Sequence, residues 1–384
     1  MQSFGMSAAQ IDQAGGHWTA REIAQQPAVW RAIAQPAAAA GGQRFLAPLL
    51  GDPALRIVLT GAGSSAFVGE CLAPALSRLL RRPVDAVSTT DLVAGPDSWL
   101  VADRRTLLVS FARSGNSPES VAALELAQQL VADCHHLVIT CNAQGALQTI
   151  AAAMDNAHVL LLPAECNDNS FAMTSSFSSM LLAGALAFGA LPGAAVAAAA
   201  AAAQQVLDGA LPLLQELVRS RYERVIYLGA NELKGLAREA ALKLLELTDG
   251  RIVSIADTPL GFRHGPKTVV NARTLVVVFL SGDAHSRRYD LDLLQELRRD
   301  GAAGRVLALA AGADAAPPHA DTHVLPPLPG GGALAHALAY VVFAQSYGLL
   351  QSLALGIGPD NPNPAGRVNR VVKGVSIYPF EPAG

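Results

Sequence analysis

Charged residues are scarce in this sequence of 384 residues: Asp, Glu, Lys and Arg together make up 15% of it, with 28 basic and 31 acidic side chains. The resulting net charge of −3 predicts no broad basic surface for nucleic acid or an anionic membrane. Hydrophobic residues make up 51% of the chain, which excludes global disorder and suffices for a large buried core.

Cysteine is rare as well, and the cysteines form neither a CxxC pair nor a cluster with histidines at zinc spacing. This pattern predicts reduced thiols and no metal site, and we expect no cofactor. The first residues, MQSFGMSAAQ, do not resemble a secretory signal, so we expect a cytoplasmic protein. The four cysteines are Cys71, Cys134, Cys141 and Cys166.

One hydrophobic run, Met180–Ala203, is long enough to span a bilayer, and it lies within a stretch from 169 to 207 that has no charge. Pro192-Gly193 interrupts it, alanine is weakly hydrophobic, and no Lys or Arg flanks it closely. We therefore predict two packed helices, one of them alanine-rich, and no membrane anchor.

The rest of the chain alternates short apolar runs with longer helical stretches, which indicates a parallel α/β architecture. Before this alternation, Thr19-Ala-Arg-Glu22 has the pattern of a capping box and predicts a helical N-terminus. The runs are almost continuously hydrophobic, as in strands that are covered on both faces. The predicted strands are Leu55–Leu59, Val84–Ser88, Leu107–Phe111, Leu137–Thr140 and His158–Leu162.

Part of this pattern occurs twice. Three strand-like segments return in the same order at an almost constant shift, which argues for two copies of one α/β unit. The matches are Arg56–Ala62 with Arg224–Ala230 at a shift of 168, Leu107–Phe111 with Leu275–Phe279 at 168, and Leu137–Thr140 with Val306–Leu309 at 169.

The loop after the first strand, Gly61-Ala-Gly-Ser-Ser-Ala66, combines a tight turn with the start of a helix. Free N–H groups at a helix N-terminus bind anions, and ligands of parallel sheets lie at this end of the strands. The same GxGxxA pattern fits a dinucleotide site, although the acidic residue expected about 20 residues later is met only by Asp85, in mid-strand. A plain turn without a ligand also fits this loop.

The loop after the third strand, Ala112-Arg-Ser-Gly-Asn-Ser-Pro-Glu-Ser120, places hydroxyls and one arginine at a second helix start. Alone it also fits a serine-rich helix cap with proline at the first helical position. The two loops together favour a pocket for a phosphate monoester. The second copy lacks these features, so we expect only one half to bind phosphate. The candidate residues are Ser64, Ser65, Arg113, Ser114, Ser117 and Ser120.

Both loops resemble the phosphate loops of SIS (sugar isomerase) domains. Three further segments resemble the isomerase half of glucosamine-6-phosphate synthase, and the likeness extends from Glu22 to the tail: Glu239–Glu246, Phe262–Pro266 and Asn369–Val375. Three more resemble the AgaS family of galactosamine-6-phosphate deaminases, also described as tagatose-6-phosphate ketose/aldose isomerases: Asn167–Ser176, Asp257–Pro266 and Asp360–Pro364.

The resemblance implies an α/β fold of two tandem SIS domains, each a parallel sheet flanked by helices in a flavodoxin-like three-layer sandwich. It implies four segments: an N-terminal helical segment (1–50), a phosphate-binding SIS domain (51–205), an SIS domain with the catalytic helix and histidine loop (206–355), and a tail that contributes to the active site (356–384).

The resemblance also implies residue roles. His264 would open the sugar ring, Glu246 would move the proton between C1 and C2, and Lys243 or Lys373 would stabilise negative charge, with Glu239 beside them. Thr174 and Ser175 would join the phosphate-binding residues. Plainer interpretations stay open: a solvated surface salt bridge for Glu239 and Lys243, a turn histidine for His264, and a surface lysine for Lys373.

The sequence departs from the synthase at three points. Ala112-Arg113-Ser114 stands where the synthase loop begins Ser-Gln-Ser, and the stretch from Glu246 to His264 is two residues longer. No glutaminase domain precedes the SIS pair, so we expect free ammonia as a product.

Three functions follow. The first is conversion of D-galactosamine 6-phosphate to D-tagatose 6-phosphate and ammonia; the second is aldose–ketose isomerisation without deamination; the third is sugar-phosphate sensing. The expected partner is a small sugar phosphate, with no nucleic acid and no membrane. The resemblance implies a homodimer in which His264 reaches the other subunit. The apolar helix at Leu334–Leu350 and the alanine-rich stretch are candidate contact surfaces, since small residues permit close helix approach.

Overall fold

The computed structural model describes residues 2–316, 318–372 and 374–381, which form two compact units. The N-sheet unit comprises Ala32–Asn167, Ser175–Ala190 and Gly366–Gly384. The C-sheet unit comprises Met1–Arg31, Asp168–Thr174 and Leu191–Ala365.

The N-sheet unit is built on five parallel strands in the order β4-β3-β5-β6-β7. All seven residues of the central strand β5 are buried, as its unbroken apolar run predicts. All five strands predicted for this half are confirmed, with shifts of a few residues at their ends. They are β3 (Arg56–Thr60), β4 (Val84–Ala86), β5 (Thr106–Ala112), β6 (Cys134–Thr140) and β7 (Ala157–Leu161).

Six helices belong to the described part of this unit. Among them, α8 packs against α3 and α4 and is buried on every side, since it carries no charged residue. The helices are α3 (Pro36–Leu50), α4 (Ser64–Leu80), α5 (Thr89–Ala94), α6 (Pro118–Leu130), α7 (Ala146–Ala152) and α8 (Ser175–Ala187).

The C-sheet unit has a second sheet of five parallel strands, in the order β12-β11-β10-β8-β9. The three predicted strands are confirmed. The two that the sequence did not indicate, β9 and β12, are the edge strands, and their mixed sequences reflect partial burial. The strands are β8 (Arg224–Gly229), β9 (Val253–Asp257), β10 (Thr274–Phe279), β11 (Arg305–Ala311) and β12 (Thr322–Leu325).

In the C-sheet unit, α14 packs against three other helices, and its residues from Ala333 to Ser352 are all buried. Because α14 is enclosed by α9, α10 and α11 of its own unit, our prediction of Leu334–Leu350 as a subunit contact surface is wrong. A small hairpin, β1 (Gln2–Ser3) and β2 (Met6–Ser7), precedes them. The helices are α1 (Ala8–Gln13), α2 (His17–Ile33), α9 (Gly193–Gly209), α10 (Leu211–Arg219), α11 (Glu232–Leu247), α12 (Pro259–Phe262), α13 (Ala284–Asp300) and α14 (Gly332–Ala354).

The two sheets have equivalent strand orders, which confirms the duplication seen in the sequence. The equivalence extends to backbone angles at the start of corresponding helices. Gly63, before α4, has φ 55° and ψ −125°, and Asn231, before α11, has φ 52° and ψ −119°. The two residues are 168 positions apart, the same shift that relates the strands.

The predicted capping box at Thr19-Ala-Arg-Glu22 is wrong. Helix α2 already begins at His17, so Thr19 lies inside its first turn. The cap comes instead from Asp360, whose carboxylate accepts the N–H groups of Trp18 and Thr19 at 3.0 and 2.7 Å. The sequence pattern could not reveal a cap supplied from 341 residues away.

No continuous helix runs through Met180–Ala203: α8 ends at Ala187 and α9 begins at Gly193, beside the predicted break at Pro192-Gly193. Within the described residues, α14 alone has the length and apolarity of a membrane span, and its whole apolar window is buried inside the protein. The four cysteines are buried.

Candidate active site

The two predicted phosphate loops lie side by side at one edge of the N-sheet. They follow β3 and β5, which are neighbours with Thr60 in register with Ser110. In the order β4-β3-β5-β6-β7, the chain runs to one side from β3 and to the other from β5, so the gap between these strands is the topological switch point. Open α/β sheets bind ligands at that point.

The first loop needs its glycines. A Cβ on Gly61 would lie 2.6 Å from main-chain and side-chain atoms of Ser65, and Gly63 has a positive φ with open space around it. This backbone turns directly into α4, whose first residues Ser64 and Ser65 are both 4% exposed. Their N–H groups and hydroxyls stand at the positive end of a helix of 17 residues.

The second loop carries a buried arginine. Arg113 is 6% exposed, and its Nη2 donates to the main-chain oxygen of Arg370 in the tail at 2.6 Å. Ser117 is the N-cap residue of α6, and its hydroxyl donates to that of Ser120 at 2.6 Å. The Ser114 hydroxyl accepts the N–H of Asn116 at 3.3 Å. The loop thus offers a guanidinium and three hydroxyls at a helix start, a donor set suited to phosphate oxygens.

The acidic residue that a dinucleotide site at the first loop would need is not available. Asp85 lies in the middle of the three-residue strand β4, and its carboxylate forms an ion pair with Arg56 at 2.9 Å. A carboxylate engaged in this way does not stand at a strand end to accept ribose hydroxyls.

Thr174 and Ser175 are completely buried, and neither hydroxyl has a hydrogen-bond partner among the described residues. Thr174 ends the segment Asp168–Thr174 of the C-sheet unit, whereas Ser175 begins α8 of the N-sheet unit. Thr174 itself is held by its backbone: its N–H donates to Asp168 at 2.7 Å, and its carbonyl accepts from Gln345 at 3.2 Å. Buried hydroxyls without partners are costly, and a bound ligand would supply the missing bond.

The predicted catalytic cluster lies on α11. The Lys243 ammonium lies 3.7 Å from a carboxylate oxygen of Glu239 and forms a hydrogen-bonded ion pair with Glu246. Lys243 and Glu239 are buried, while the side chain of Glu246 is 24% exposed. Because both side chains are buried, the interpretation of Glu239 and Lys243 as a solvated surface pair is wrong. A buried ion pair of this kind carries a desolvation cost.

Helix α11 is held rigidly against α14. Gly348 of α14 faces Leu247, and a Cβ on Gly348 would lie 3.0 Å from the Leu247 side chain. This close approach covers the face of α11 that carries Lys243, whose carbonyl lies 3.8 Å from the same position. Lys243 and Glu239 are buried in this packing, and electrostatic interactions are stronger in a buried environment than in water.

His264 lies in an exposed loop that is anchored on both sides. Before it, Arg263 pairs with Asp292 and Glu296 of α13 at 2.7 and 2.8 Å. After it, Lys267 pairs with Glu296 and with Asp300. The His264 ring makes no hydrogen bond to the described residues, so the loop presents a free imidazole on the surface of its unit.

Sequence reasoning missed a hydrogen-bond network that fixes the segment Asp168–Thr174. The buried carboxylate of Glu22 accepts hydrogen bonds from the N–H groups of Asn169 and Ser170, and Gln26 donates to Gln345 at 2.7 Å. Burial, and secondly the charge of Asp168, raise the pKa of Glu22 to about 7. The signal was present in Asn167–Ser176 and Asp360–Pro364, to which sequence analysis assigned no structural role.

The tail is tied to both units by its own side chains. Asn363 donates to Asp249, just after α11, at 2.7 Å. Further on, Arg370 donates to Asn167 at 3.3 Å within the N-sheet unit. The tail residue predicted to act in the site, Lys373, lies outside the described residues.

Two parallel sheets of equivalent order, with hydroxyl-rich loops at the switch point of the first, define a tandem SIS (sugar isomerase) protein. The SIS domain family matches residues 52–190. A Streptomyces coelicolor protein is 50% identical over 373 residues, which cover 96% of this chain and 97% of that protein. The D-galactosamine-6-phosphate deaminase AgaS of Escherichia coli is 46% identical over 381 residues, covering 96% and 97%. The chain belongs to the AgaS family.

A solved structure agrees with this assignment. The crystal structure of tagatose-6-phosphate ketose/aldose isomerase from Escherichia coli is similar to this chain with a TM-score of 0.87 and 43% identity. The match covers 96% of this chain and 98% of the other.

Proposed function

We propose that this protein is an amino-sugar phosphate deaminase and isomerase that converts D-galactosamine 6-phosphate and water into D-tagatose 6-phosphate and ammonia. The observation that carries the proposal is the buried ammonium of Lys243 between Glu239 and the partly exposed Glu246. The 46% identity to the Escherichia coli deaminase supports the choice of substrate.

The phosphate would be bound by the donors of the N-sheet loops and of the segments around Thr174. Helix N-termini and the guanidinium of Arg113 neutralise its charge, and hydroxyls complete its hydrogen bonds. The residues proposed for this role are Ser64, Ser65, Arg113, Ser114, Ser117, Ser120, Thr174 and Ser175.

The chemistry then needs three proton-transfer steps. His264 protonates the ring oxygen and the O1 hydroxyl loses its proton as the sugar opens. Glu246 then removes the proton from C2, and O1 takes a proton back to give an enolamine. Glu246 returns a proton to C1, which leaves an imine at C2. Water adds to that imine, its oxygen becomes the ketone oxygen, and the nitrogen leaves as ammonia, so no metal or cofactor is used.

Lys243 would stabilise the negative charge that develops as the C2 proton leaves, with Lys373 as the other candidate. Glu239 orients Lys243 from the buried side of α11. Both roles require the ammonium to hold one position, which the packing of α14 against α11 favours.

Three further features belong to the proposal. The chain would have the four functional segments that the family resemblance implies: an N-terminal helical segment (1–50), a phosphate-binding domain (51–205), a catalytic domain (206–355) and a tail that contributes Lys373 (356–384). The protein would act in the cytoplasm, without nucleic acid or membrane partners. It would be a homodimer in which the exposed His264 completes the site of the other subunit.

A second candidate is aldose–ketose isomerisation without loss of an amine, which the similarity to the Escherichia coli tagatose-6-phosphate ketose/aldose isomerase favours. Both reactions need the same C1–C2 proton shuttle. The test is ammonia release from D-galactosamine 6-phosphate, compared with D-glucosamine 6-phosphate and the N-acetyl forms of both. We expect release from the first substrate; isomerisation of tagatose 6-phosphate without any ammonia release would support the second candidate instead.

A further inference from the structure

The C-sheet has its own cleft at its topological switch point. It has a volume of about 320 Å³ and is lined by residues that follow β8 and β9 and by the start of α13, the helix that follows β10. This is the location at which open α/β sheets bind ligands, and the volume is that of a small-molecule site. The residues that matter for its chemistry are Asn231, Thr258, Leu260, Ser286, Tyr289 and Asp290. None of them has a role in the reaction proposed above.

Asn231 marks the cleft as the counterpart of the first phosphate loop. It takes the backbone conformation of Gly63, with a φ of 52° that L-residues rarely adopt. Its side chain donates from Nδ2 to the hydroxyl of Ser286 at 2.8 Å. A strained residue that supplies an amide to a cleft, where the other copy has glycine, is typical of a functional position.

The charges of the cleft are opposite to those of a phosphate site. The carboxylate of Asp283 accepts the N–H of Ser286 at 2.8 Å, and so caps the helix N-terminus that an anion would use. No Lys or Arg lines the cleft within the described part of the chain. Arg287 instead directs its guanidinium to the carbonyls of Ser281 and Gly282.

Asp290, in the wall of this cleft, is a buried acid with an unused hydrogen-bond acceptor. It is 0% exposed, and one of its oxygens accepts the N–H of Ser281 at 2.8 Å. The other oxygen has no hydrogen-bond partner among the described residues. Burial raises the pKa of Asp290 to about 6, so the carboxylate is ionised at neutral pH without a full set of donors.

The two outer walls are apolar. Leu260 is 45% and Tyr289 41% exposed, and the Tyr289 ring is braced by an edge-on contact with His285 at 5.3 Å. An aromatic face and an aliphatic side chain above a floor of amide, hydroxyl and carboxylate groups match the apolar ring face and polar rim of a pyranose.

From this arrangement we propose that the cleft of the C-sheet binds an unphosphorylated sugar, which donates a hydroxyl or an ammonium group to Asp290 and stacks on Tyr289. The duplicated SIS unit then has two ligand sites of different charge: a phosphate site on the N-sheet and a free-sugar site on the C-sheet. The second site takes no part in the deamination, so the proposal stands independently of it.

The test is titration of the full-length protein with D-galactose, D-galactosamine and inorganic phosphate, followed by calorimetry and by saturation-transfer NMR. We expect saturable binding of at least one sugar, weakened about tenfold or more in Tyr289→Ala and in Asp290→Asn. A tenfold preference for galactosamine would identify an ammonium as the group bound by Asp290, whereas equal affinities would identify a hydroxyl. The control is Tyr378→Ala, which makes the same substitution at an 82% exposed tyrosine of the tail and should leave sugar binding unchanged.

Three results would overturn the proposal: no saturable binding of either sugar, unchanged binding in a folded Tyr289→Ala protein, or sugar binding that is lost in Glu246→Gln but kept in Tyr289→Ala. The last result would assign the sugar to the site on α11. Because Tyr289 is exposed, its variant remains informative even if Asp290→Asn does not fold.

Discussion

The carboxylate of Glu22, on α2, accepts hydrogen bonds from both the main-chain N–H and the hydroxyl of Ser170, which lies 148 residues further along the chain. Two further hydrogen bonds connect α2 with the same region: Gln26 donates to Gln345, and Gln345 donates to the carbonyl of Thr174. One helix of the N-terminal segment thus fixes both ends of the stretch that presents the Thr174 hydroxyl.

The pH dependence of stability should report the Glu22 carboxyl. Its pKa rises from 4.5 to about 7 in the folded protein, first by burial and then by Asp168. A raised carboxyl pKa contributes stability below the unfolded value that is lost as the pH rises through the folded value. Between about pH 4.5 and 8 the wild type should lose up to about 3 kcal/mol through this group. Urea unfolding of Glu22→Gln across this range should show a smaller loss, and an unchanged pH profile would contradict the assignment.

The buried ions of α11 should depend on each other. Lys243→Ala leaves the carboxylate of Glu239 buried without its cation, and we expect it to lower the free energy of unfolding by about 3–5 kcal/mol. The double variant Glu239→Gln/Lys243→Met removes both charges and should recover most of that loss, as measured by urea denaturation. Lys234→Ala, on the exposed face of the same helix, is the control and should stay within about 0.5 kcal/mol of wild type. A loss that simply adds in the double variant would argue against the coupling.

Arg113→Ala should discriminate phosphorylated from unphosphorylated sugars. A charged hydrogen bond to phosphate is worth about 1.5–3 kcal/mol, so the affinity for the sugar phosphate should fall about 10- to 100-fold, while binding of the free sugar is little changed. Calorimetry on both ligands measures the difference, with the exposed Arg104→Ala as control. Equal weakening of both ligands would contradict a role at the phosphate.

Glu246→Gln should remove proton exchange at C2 without removing substrate binding. Loss of a general base lowers the rate of its step about 100- to 10,000-fold, whereas the amide preserves the shape of the side chain. Deuterium wash-in from solvent, followed by NMR, measures the exchange directly. Glu223→Gln, in which an exposed surface ion pair with Arg273 is removed, should exchange normally. Normal wash-in by a folded Glu246→Gln protein would show that another group is the base.

Mixed dimers should reveal whether His264 acts in the partner's site. In a two-fold symmetric dimer each subunit would lend one histidine and receive one. Mixing His264→Ala with Glu246→Gln subunits should then restore about a quarter of wild-type activity, because half of the dimers are mixed and each has one intact site. Absence of recovery, once subunit exchange is demonstrated by mass spectrometry, would return His264 to its own subunit or exclude it from the chemistry.

Several elements could be predicted from local sequence because local physics determines them. The strands β3, β5 and β10 are unbroken apolar runs, and only burial on both faces of a parallel sheet accommodates such runs. The glycines at 61 and 63 indicate the first loop for equally local reasons, since a Cβ on Gly61 would clash with Ser65 and Gly63 has a positive φ. The edge strands β9 and β12 escaped because partial burial leaves their sequences mixed.

The site was predicted less completely. Local motifs indicated the candidate loops and the family resemblance the candidate residues on α11, but neither indicates that α11 packs closely against Gly348 of α14, more than 100 residues away in sequence. The capping-box prediction failed in the same way, since Asp360 competes successfully for the helix start that Thr19 would have capped. The role of Leu334–Leu350 was also misjudged, because apolarity alone does not distinguish a core helix from a contact surface.

The sequence by itself therefore determined the parallel α/β class and the duplication, since both depend on local patterns of hydrophobicity. Patterns of glycine and hydroxyl side chains indicated the candidate phosphate loops, and the family resemblance supplied the candidate catalytic residues. Only the tertiary structure decided which carboxylates are buried, what holds Asp168–Thr174, and that the second switch point became an acidic cleft around Asp290. These properties arise from contacts between residues far apart in the chain, and such contacts leave no periodic trace in the sequence around either partner.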